Sequence, residues 1–440
     1  MNFDFDESDA SAHAAVAQAA YETLVSLYPD HEDRLTPIFE SDLALIQSVE
    51  SNTVAIDDGI SLGRAVADSI LAMREGDNSD ITEPSFGEGG AVADGSTTFF
   101  GTPINGGTAE IGEWQPDPNT PDYSGDYNLS LGAYWGSVTP FFLDSGDQFR
   151  SEEPPLPGDR AYVAPYNEVA SLGGSPDNTG TPSTSTDETR FIGNYWGYDG
   201  VPLIGVPPRV YNQICSQISN IQFDTAIEYS RFLAMANIGM ADAAIAAWDS
   251  KFFYNYWRPV TGIRVDDGNR RTTVDVTWDP IGVSVINTDE GIRATPPFPA
   301  YPSGHAAFGA TVFELLRDFF GDNTAFTFIS DEYNGEGVDP FFPDIPRPLV
   351  PVRFDSFTDA QEQNGISRVY NGVHWSFDNT AGQDMGIQIA EFLLNDTEAF
   401  KPVNNGRGNN NGNGNNNGRG NNNGNGNNNG GGNNNGGGRN

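Results

Sequence analysis

Cysteine is almost missing: Cys215 is the only one in 440 residues. That excludes an intrachain disulfide framework and any zinc site built from cysteine alone. Lysine is almost missing too, with Lys251 and Lys401 the only two. Cations as a whole are scarce, 22 Lys+Arg against 61 Asp+Glu, for a formal net charge of −39. Such a surface repels phosphate backbones and anionic lipid, so neither a nucleic-acid partner nor a membrane partner is expected. No apolar run approaches the roughly 18 residues of a membrane span. The start, Met-Asn-Phe-Asp-Phe-Asp-Glu-Ser, lacks a basic segment followed by an apolar one, so no classical secretory signal is expected, and export by a non-classical route is left open.

What the chain does have is aromatic and helical pattern. Hydrophobic residues make up 37% and aromatics 12%, enough for a core. The pattern predicts three parts: a helical and loop-rich half over 1–220, a helical half over 221–403, and an Asn/Gly tail over 404–440. In the tail Asn-Asn-Asn-Gly-x-Gly repeats from Asn409 to Gly438 with no carboxylate, so it is expected to be disordered rather than a calcium solenoid. Ala10–Leu27, Leu43–Ser48 and Leu62–Met73 read as helices. Residues 76–220 are dense in Gly, Pro, Ser, Thr, Asn and Asp and read as long ordered loops with short helices. Ala226, Tyr229, Leu233, Ala236 and Met240 form one helical stripe, expected to run towards Tyr256 until Pro259 stops it. Thr272–Trp278 reads as a short strand. His305, Phe308, Val312, Leu316 and Phe319 form another helical stripe, and helices are expected near 358–372 and 379–395. The class is therefore all-α, as helical bundles with long ordered loops.

Three segments hold groups suited to an oxyanion. In Lys-Phe-Phe-Tyr-Asn-Tyr-Trp-Arg-Pro, Lys251 and Arg258 lie seven apart, two helical turns, and are expected on one side. In Tyr-Pro-Ser-Gly-His, Ser303 offers a hydroxyl, Gly304 lets a backbone N–H come close, and His305 sits at a helix N-terminus as an acid–base group. In Ser-Arg-x5-His-x3-Asp, Arg368 could fork onto two oxygens, His374 could bond an electrophilic centre, and Asp378 could hold the other ring nitrogen. Each segment alone also fits a plain structural role: snorkelling cations, a capped turn, a core histidine beside a carboxylate. Their joint occurrence is far more specific, since they take up two of four histidines and one of two lysines.

Lys-x6-Arg-Pro, Pro-Ser-Gly-His and Ser-Arg-x5-His-x3-Asp, in that order, resemble the signature shared by vanadium-dependent haloperoxidases and the related acid phosphatases of the type 2 phosphatidic acid phosphatase superfamily. The resemblance spans Lys251 to Asp378 with every signature position filled. It implies two four-helix-bundle-like units and a pocket for vanadate, with His374 ligating vanadium. Lys251, Arg258, Ser303, Gly304 and Arg368 would hold the oxygens, His305 would serve the apical oxygen, and Lys251 would polarise peroxide. Hydrogen peroxide and halide would react through peroxovanadate at His374 to give a hypohalous acid species for an organic acceptor, with no haem or flavin. The length of the chain, Trp-Arg-Pro-Val-Thr at 257–261, Gly-Val-His-Trp at 372–375, and looser matches over Asp58–Met73 and Trp114–Phe141 are similar to the fungal-type chloroperoxidases and their bacterial relatives.

Within that resemblance, Phe298 and Trp248 stand where fungal-type relatives form the halide side of the pocket. They imply bromide, iodide and chloride as substrates, although plain core packing is the alternative for both. A soluble acid phosphatase using His374 as nucleophile is the competing enzyme. A surface protein with an adhesive tail is the non-enzymatic alternative. The oligomeric state is open between monomer and homodimer. The charge balance gives a test of the haloperoxidase expectation: the anionic body should oppose halide access, and salt should screen it. Steady-state assays at rising inert salt should therefore show a falling apparent KM for halide. A flat or rising KM would count against the electrostatic picture.

Overall fold

The computed structural model describes residues 9–84, 86, 90–91, 97–98, 111–119, 130–199, 204–282, 294–336 and 348–396. The expected tail over 404–440 lies outside them. Eleven α-helices are present among the described residues: α1 (Ala12–Leu27), α2 (Glu32–Val49), α3 (Thr53–Met73), α4 (Arg160–Leu172), α5 (Asp187–Tyr195), α6 (Pro207–Gln222), α7 (Ala226–Tyr254), α8 (Pro259–Arg264), α9 (Gly304–Phe320), α10 (Phe357–Tyr370) and α11 (Ser376–Asp396). Strands form two short antiparallel pairs: β1 (Gly90–Ala91) with β2 (Thr97–Thr98), and β3 (Phe326–Phe328) with β4 (Val352–Phe354), where Phe326 faces Phe354. The protein is all-α, as its periodicity predicts.

Helix starts follow local chemistry. Ser11, Asn52, Thr225, Ser303 and Ser356 each accept an N–H of the first turn that has no partner within its helix. The one departure in the central helix concerns its end. α7 stops at Tyr254, where Asn255 takes a left-handed conformation (φ 48°) that asparagine tolerates better than most residues. Pro259 does not stop it; it opens α8, where its fixed φ suits the first helical position. The expected strand at Thr272–Trp278 is also absent. It finds no partner strand, and its polar groups are used locally instead: Asp275 accepts from the Thr277 hydroxyl and the Thr181 amide, and Thr272 donates to Asp267.

α7 is buried on several faces and forms the axis of the main core. Phe232, Met235, Ala236, Met240, Ala243 and Ala247 pack with Val312, Phe313 and Leu316 of α9 and with Met385, Ile389 and Leu393 of α11. A second, aromatic core of Tyr162, Tyr166, Trp257, Trp278 and Trp375 lies under α4 and α8. There the Trp375 indole donates to the Trp257 carbonyl at 3.0 Å. That bond joins the chain just before Arg258 to the chain just after His374.

α9 and α11 come unusually close because Gly382 and Gly386 lie four apart on one face of α11. A Cβ on Gly382 would sit 2.5 Å from the Ser303 carbonyl oxygen, and one on Gly386 would sit 2.4 Å from that of Ala307. This contact sets where the first turn of α9, with Ser303, Gly304 and His305, is held. Gly382→Ala should therefore lower stability by about 1–3 kcal/mol through overpacking and weaken anion binding at that turn. Denaturant unfolding paired with an anion titration checks both.

Candidate active site

The three chemical segments meet. His374, Arg368, His305 and Gly304 line one cavity of about 440 Å³, together with Trp248 and Phe298. Lys251, Arg258, Ser303 and Asp378 are fully buried around it. The expected route for Lys251 and Arg258 is not the one taken. They do not share a helix face, because α7 ends between them and Arg258 is the extended residue that caps α8. The reversal at Asn255 and the Trp257–Trp375 bond bring Arg258 to His374 instead.

His374 is held at both ring nitrogens. Nδ1 lies 2.7 Å from Asp378 Oδ2, and Nε2 lies 3.1 Å from Arg258 Nη1. Arg258 can only donate, so the network assigns the proton to Nδ1 and leaves a lone pair on Nε2. Burial, with Arg258, Lys251 and Arg368 nearby, holds the imidazole well below the usual histidine pKa and so neutral. Asp378 also accepts the Trp375 amide at 3.1 Å. Burial raises its pKa to about 7, against the pull of Lys251.

The cations are only partly satisfied by the protein. Arg258 donates to the Phe298 and Val373 carbonyls, and its Nη2 has no protein partner. Burial brings it to about 9, so it stays charged at neutral pH. Arg368 gives Nη2 to Asp199 Oδ1 at 2.5 Å, while its Nε and Nη1 have no protein partner. Lys251 is different. Its Nζ donates to the carbonyls of Pro299, Ala300 and Pro302, so all three protons are used on backbone. Three acceptors call for an ammonium, although burial and Arg258 push its pKa well down. To polarise a peroxide it would have to release one carbonyl.

His305 Nε2 donates to the Gly197 carbonyl at 2.6 Å and lies 3.9 Å from Asp199. Its own carbonyl is gripped by the Tyr211 hydroxyl and the Asn364 amide, both at 2.9 Å. Burial and Arg368 hold its pKa well below the usual value. Ser303 caps α9 with its hydroxyl oxygen, which leaves that hydroxyl proton free to donate. Trp248 and Phe298 meet at 5.0 Å between ring centroids, tilted by 52°, beside the cavity, with the Lys251 ammonium 5.2 Å from the Phe298 ring and the Arg258 guanidinium 4.9 Å from it.

Sequence reasoning missed Asp199, the carboxylate that pairs with Arg368. It is one acidic residue among 61, in a loop, and nothing in its local pattern marks it. The structure delivers it through Tyr195 and Trp196. The Tyr195 hydroxyl donates to the Phe328 carbonyl, and Trp196 packs on Phe354.

The unpartnered guanidinium N–H groups, the hydroxyl, the helix N-terminus and the Nε2 lone pair suit a tetrahedral or trigonal oxyanion with an electrophilic centre. Among the described residues no group of three His, Cys, Asp or Glu side chains gathers to hold a metal cation. A metal held as its oxyanion fits this donor set. The protein is all-α, and its cavity carries a donor set suited to an oxyanion.

Residues 231–401 match the family model described as the VCPO second helical-bundle domain. The chain is 33% identical over 309 residues to a vanadium chloroperoxidase of Curvularia inaequalis, covering 62% of this chain and 50% of that protein. It thus spans about half the length of that curated relative. The fold is similar to a bacterial vanadium-dependent iodoperoxidase (TM-score 0.60, 25% identity, 86% of this chain and 78% of that one). It is also similar to a bacterial vanadium-dependent chloroperoxidase in its holo form (TM-score 0.56, 18% identity, 87% and 82%). Residues 231–401 thus resemble the second helical-bundle domain of the vanadium chloroperoxidases. Among the described residues, no helix is long and apolar enough to cross a membrane.

Asp378 fixes the tautomer that keeps Nε2 an acceptor, here facing Arg258 Nη1, as carboxylates do for ligating histidines elsewhere. Asp378→Asn should weaken vanadate binding about 10–100-fold, measured by equilibrium titration. Unchanged affinity would remove Asp378 from the site.

Proposed function

We propose that this protein is a vanadium-dependent haloperoxidase, oxidising bromide, iodide and chloride with hydrogen peroxide. The observation that carries the reading is the set of buried guanidinium N–H groups on Arg258 and Arg368 without protein partners, with Arg258 3.1 Å from His374 Nε2 and Arg368 lining the same cavity as His374. Leaving buried charged donors unpaired is costly, so a resident anion is the physical expectation. In this reading His374, oriented by Asp378, would ligate the vanadium of vanadate through Nε2, which requires Arg258 Nη1 to release that nitrogen's lone pair. Arg258, Arg368, Ser303 and the N–H of Gly304 hold the oxygens. Lys251 lends its positive charge, and its direct contact requires release of a carbonyl. When bound, vanadate supplies the Lewis acidity that activates hydrogen peroxide for attack by halide.

The protein's residues do the rest. His305, with Nε2–H tied to Gly197, lines the cavity with an imidazole that could take or return a proton there. Asp199 holds the Arg368 fork in place. Trp248 and Phe298 exclude water on the halide side, which strengthens the cationic field felt there. The relatives' names cover chloride and iodide, and the halides of this chain are part of the proposal. In this reading Lys251, Arg258, Arg368 and His374 come from residues 221–403, and Gly197 and Asp199 from residues 1–220. A phosphomonoesterase using His374 as nucleophile is the competing outcome.

The test is a pair of assays on one vanadate-stripped preparation. After vanadate is added, bromination of an activated diketone should depend on peroxide and bromide, and phosphate should slow loading. His374→Ala should lose tight vanadate binding. Rapid aryl phosphate hydrolysis without peroxide, and no bromination after loading, would sink the haloperoxidase reading.

A further inference from the structure

The cavity is much larger than its anion needs. Four oxyanion oxygens at roughly 30 Å³ each take on the order of 100 Å³, against about 440 Å³ present. The total lies within the roughly 300–1,000 Å³ typical of sites for drug-sized organic molecules. The remaining wall is built for flat apolar matter. Trp135, Trp248, Phe298 and Phe308 line it with aromatic rings. Two proline pairs, Pro207–Pro208 and Pro296–Pro297, add apolar surface that loses almost no side-chain entropy when covered. Trp135 (37% exposed) and Val206 (56% exposed) are accessible from outside.

Its charges point the same way. Of the two carboxylates in the wall, Asp199 is neutralised by Arg368. The other, Glu83, is turned onto the loop at Gly132 and Ala133, where it accepts the Ala133 amide. With the buried cations committed to a bound oxyanion and Glu83 left in the wall, the loaded cavity disfavours a second anionic guest.

We propose that the cavity holds the organic acceptor itself, a neutral electron-rich aromatic molecule such as a phenol or naphthol, beside the oxyanion pocket. This rests on the haloperoxidase reading and names its acceptor class. The step balances as R–H + HOX → R–X + H2O: a carbon–halogen bond forms, the O–X and C–H bonds break, and the released proton joins the departing hydroxide as water. Holding the ring where the hypohalous species is made raises its effective concentration and exposes one edge of it to the halogen.

Two measurements test this on the whole chain. Titration of vanadate-loaded protein, in which the oxyanion donors are already occupied, should show 2-naphthol binding about tenfold tighter than 2-naphthalenesulfonate, equivalent to ~1.4 kcal/mol. Trp135→Ala, which removes a wall, and Val206→Trp, which fills the mouth, should each weaken naphthol about tenfold; both sites are exposed enough to fold around the change. Glu83→Gln keeps an acceptor for the loop amide and should narrow the gap between naphthol and sulfonate. In the second measurement, the ortho/para ratio of phenol bromination by vanadate-loaded protein should differ at least roughly threefold from that of reagent hypobromous acid. Equal binding of the sulfonate, naphthol affinity indifferent to both wall variants, or a product ratio equal to the reagent's would overturn the acceptor site while leaving halide oxidation standing. Absence of any halide oxidation would overturn the haloperoxidase reading and the acceptor role with it.

Discussion

Three cations buried in one place are the constraint on which this structure turns. Lys251, Arg258 and Arg368 are each at most 1% exposed, and desolvating an ion costs several kcal/mol unless partners repay it. The protein repays in three ways. Lys251 is solvated by three backbone carbonyls, Arg368 by Asp199, and Arg258 by two carbonyls and the His374 lone pair. What is left over, donors on both guanidiniums, is the binding capacity of the site. An anion bound at those donors would offset part of the cost of burying the cluster.

Much of the surrounding architecture serves that cluster. The Asn255 reversal and the Trp257–Trp375 bond put Arg258 against His374. The small face of α11 lets α9 bring Ser303, Gly304 and His305 to the same point. The strand pair β3–β4, slight as it is, carries the packing of Tyr195 and Trp196 that delivers Gly197 and Asp199. The apolar half of the cavity grows from other elements, the loop before α6 and the prolines before α9.

The readable parts of the site were those whose geometry is local. His374 and Asp378 lie four apart and meet across the first turn of α11, and Ser303 caps the helix that begins beside it; spacing and capping rules reach that far. The Lys251–Arg258 spacing suggested a shared helix face, and that reasoning failed even though the two residues do converge, because a left-handed asparagine broke the helix between them. Thr272–Trp278 had strand-like composition and no strand to pair with, so local side-chain hydrogen bonds prevailed.

By itself the sequence determined the helical class, the family signature from Lys251 to Asp378 and the sign of the charge around it, because periodicity, capping and composition are short-range properties. Only the tertiary structure decided that Asp199 is the partner of Arg368, that Lys251 is engaged by carbonyls and that the oxyanion pocket opens into a large aromatic cavity. Those are contacts between residues scores to hundreds of positions apart, set by packing of helices and loops that no local pattern encodes.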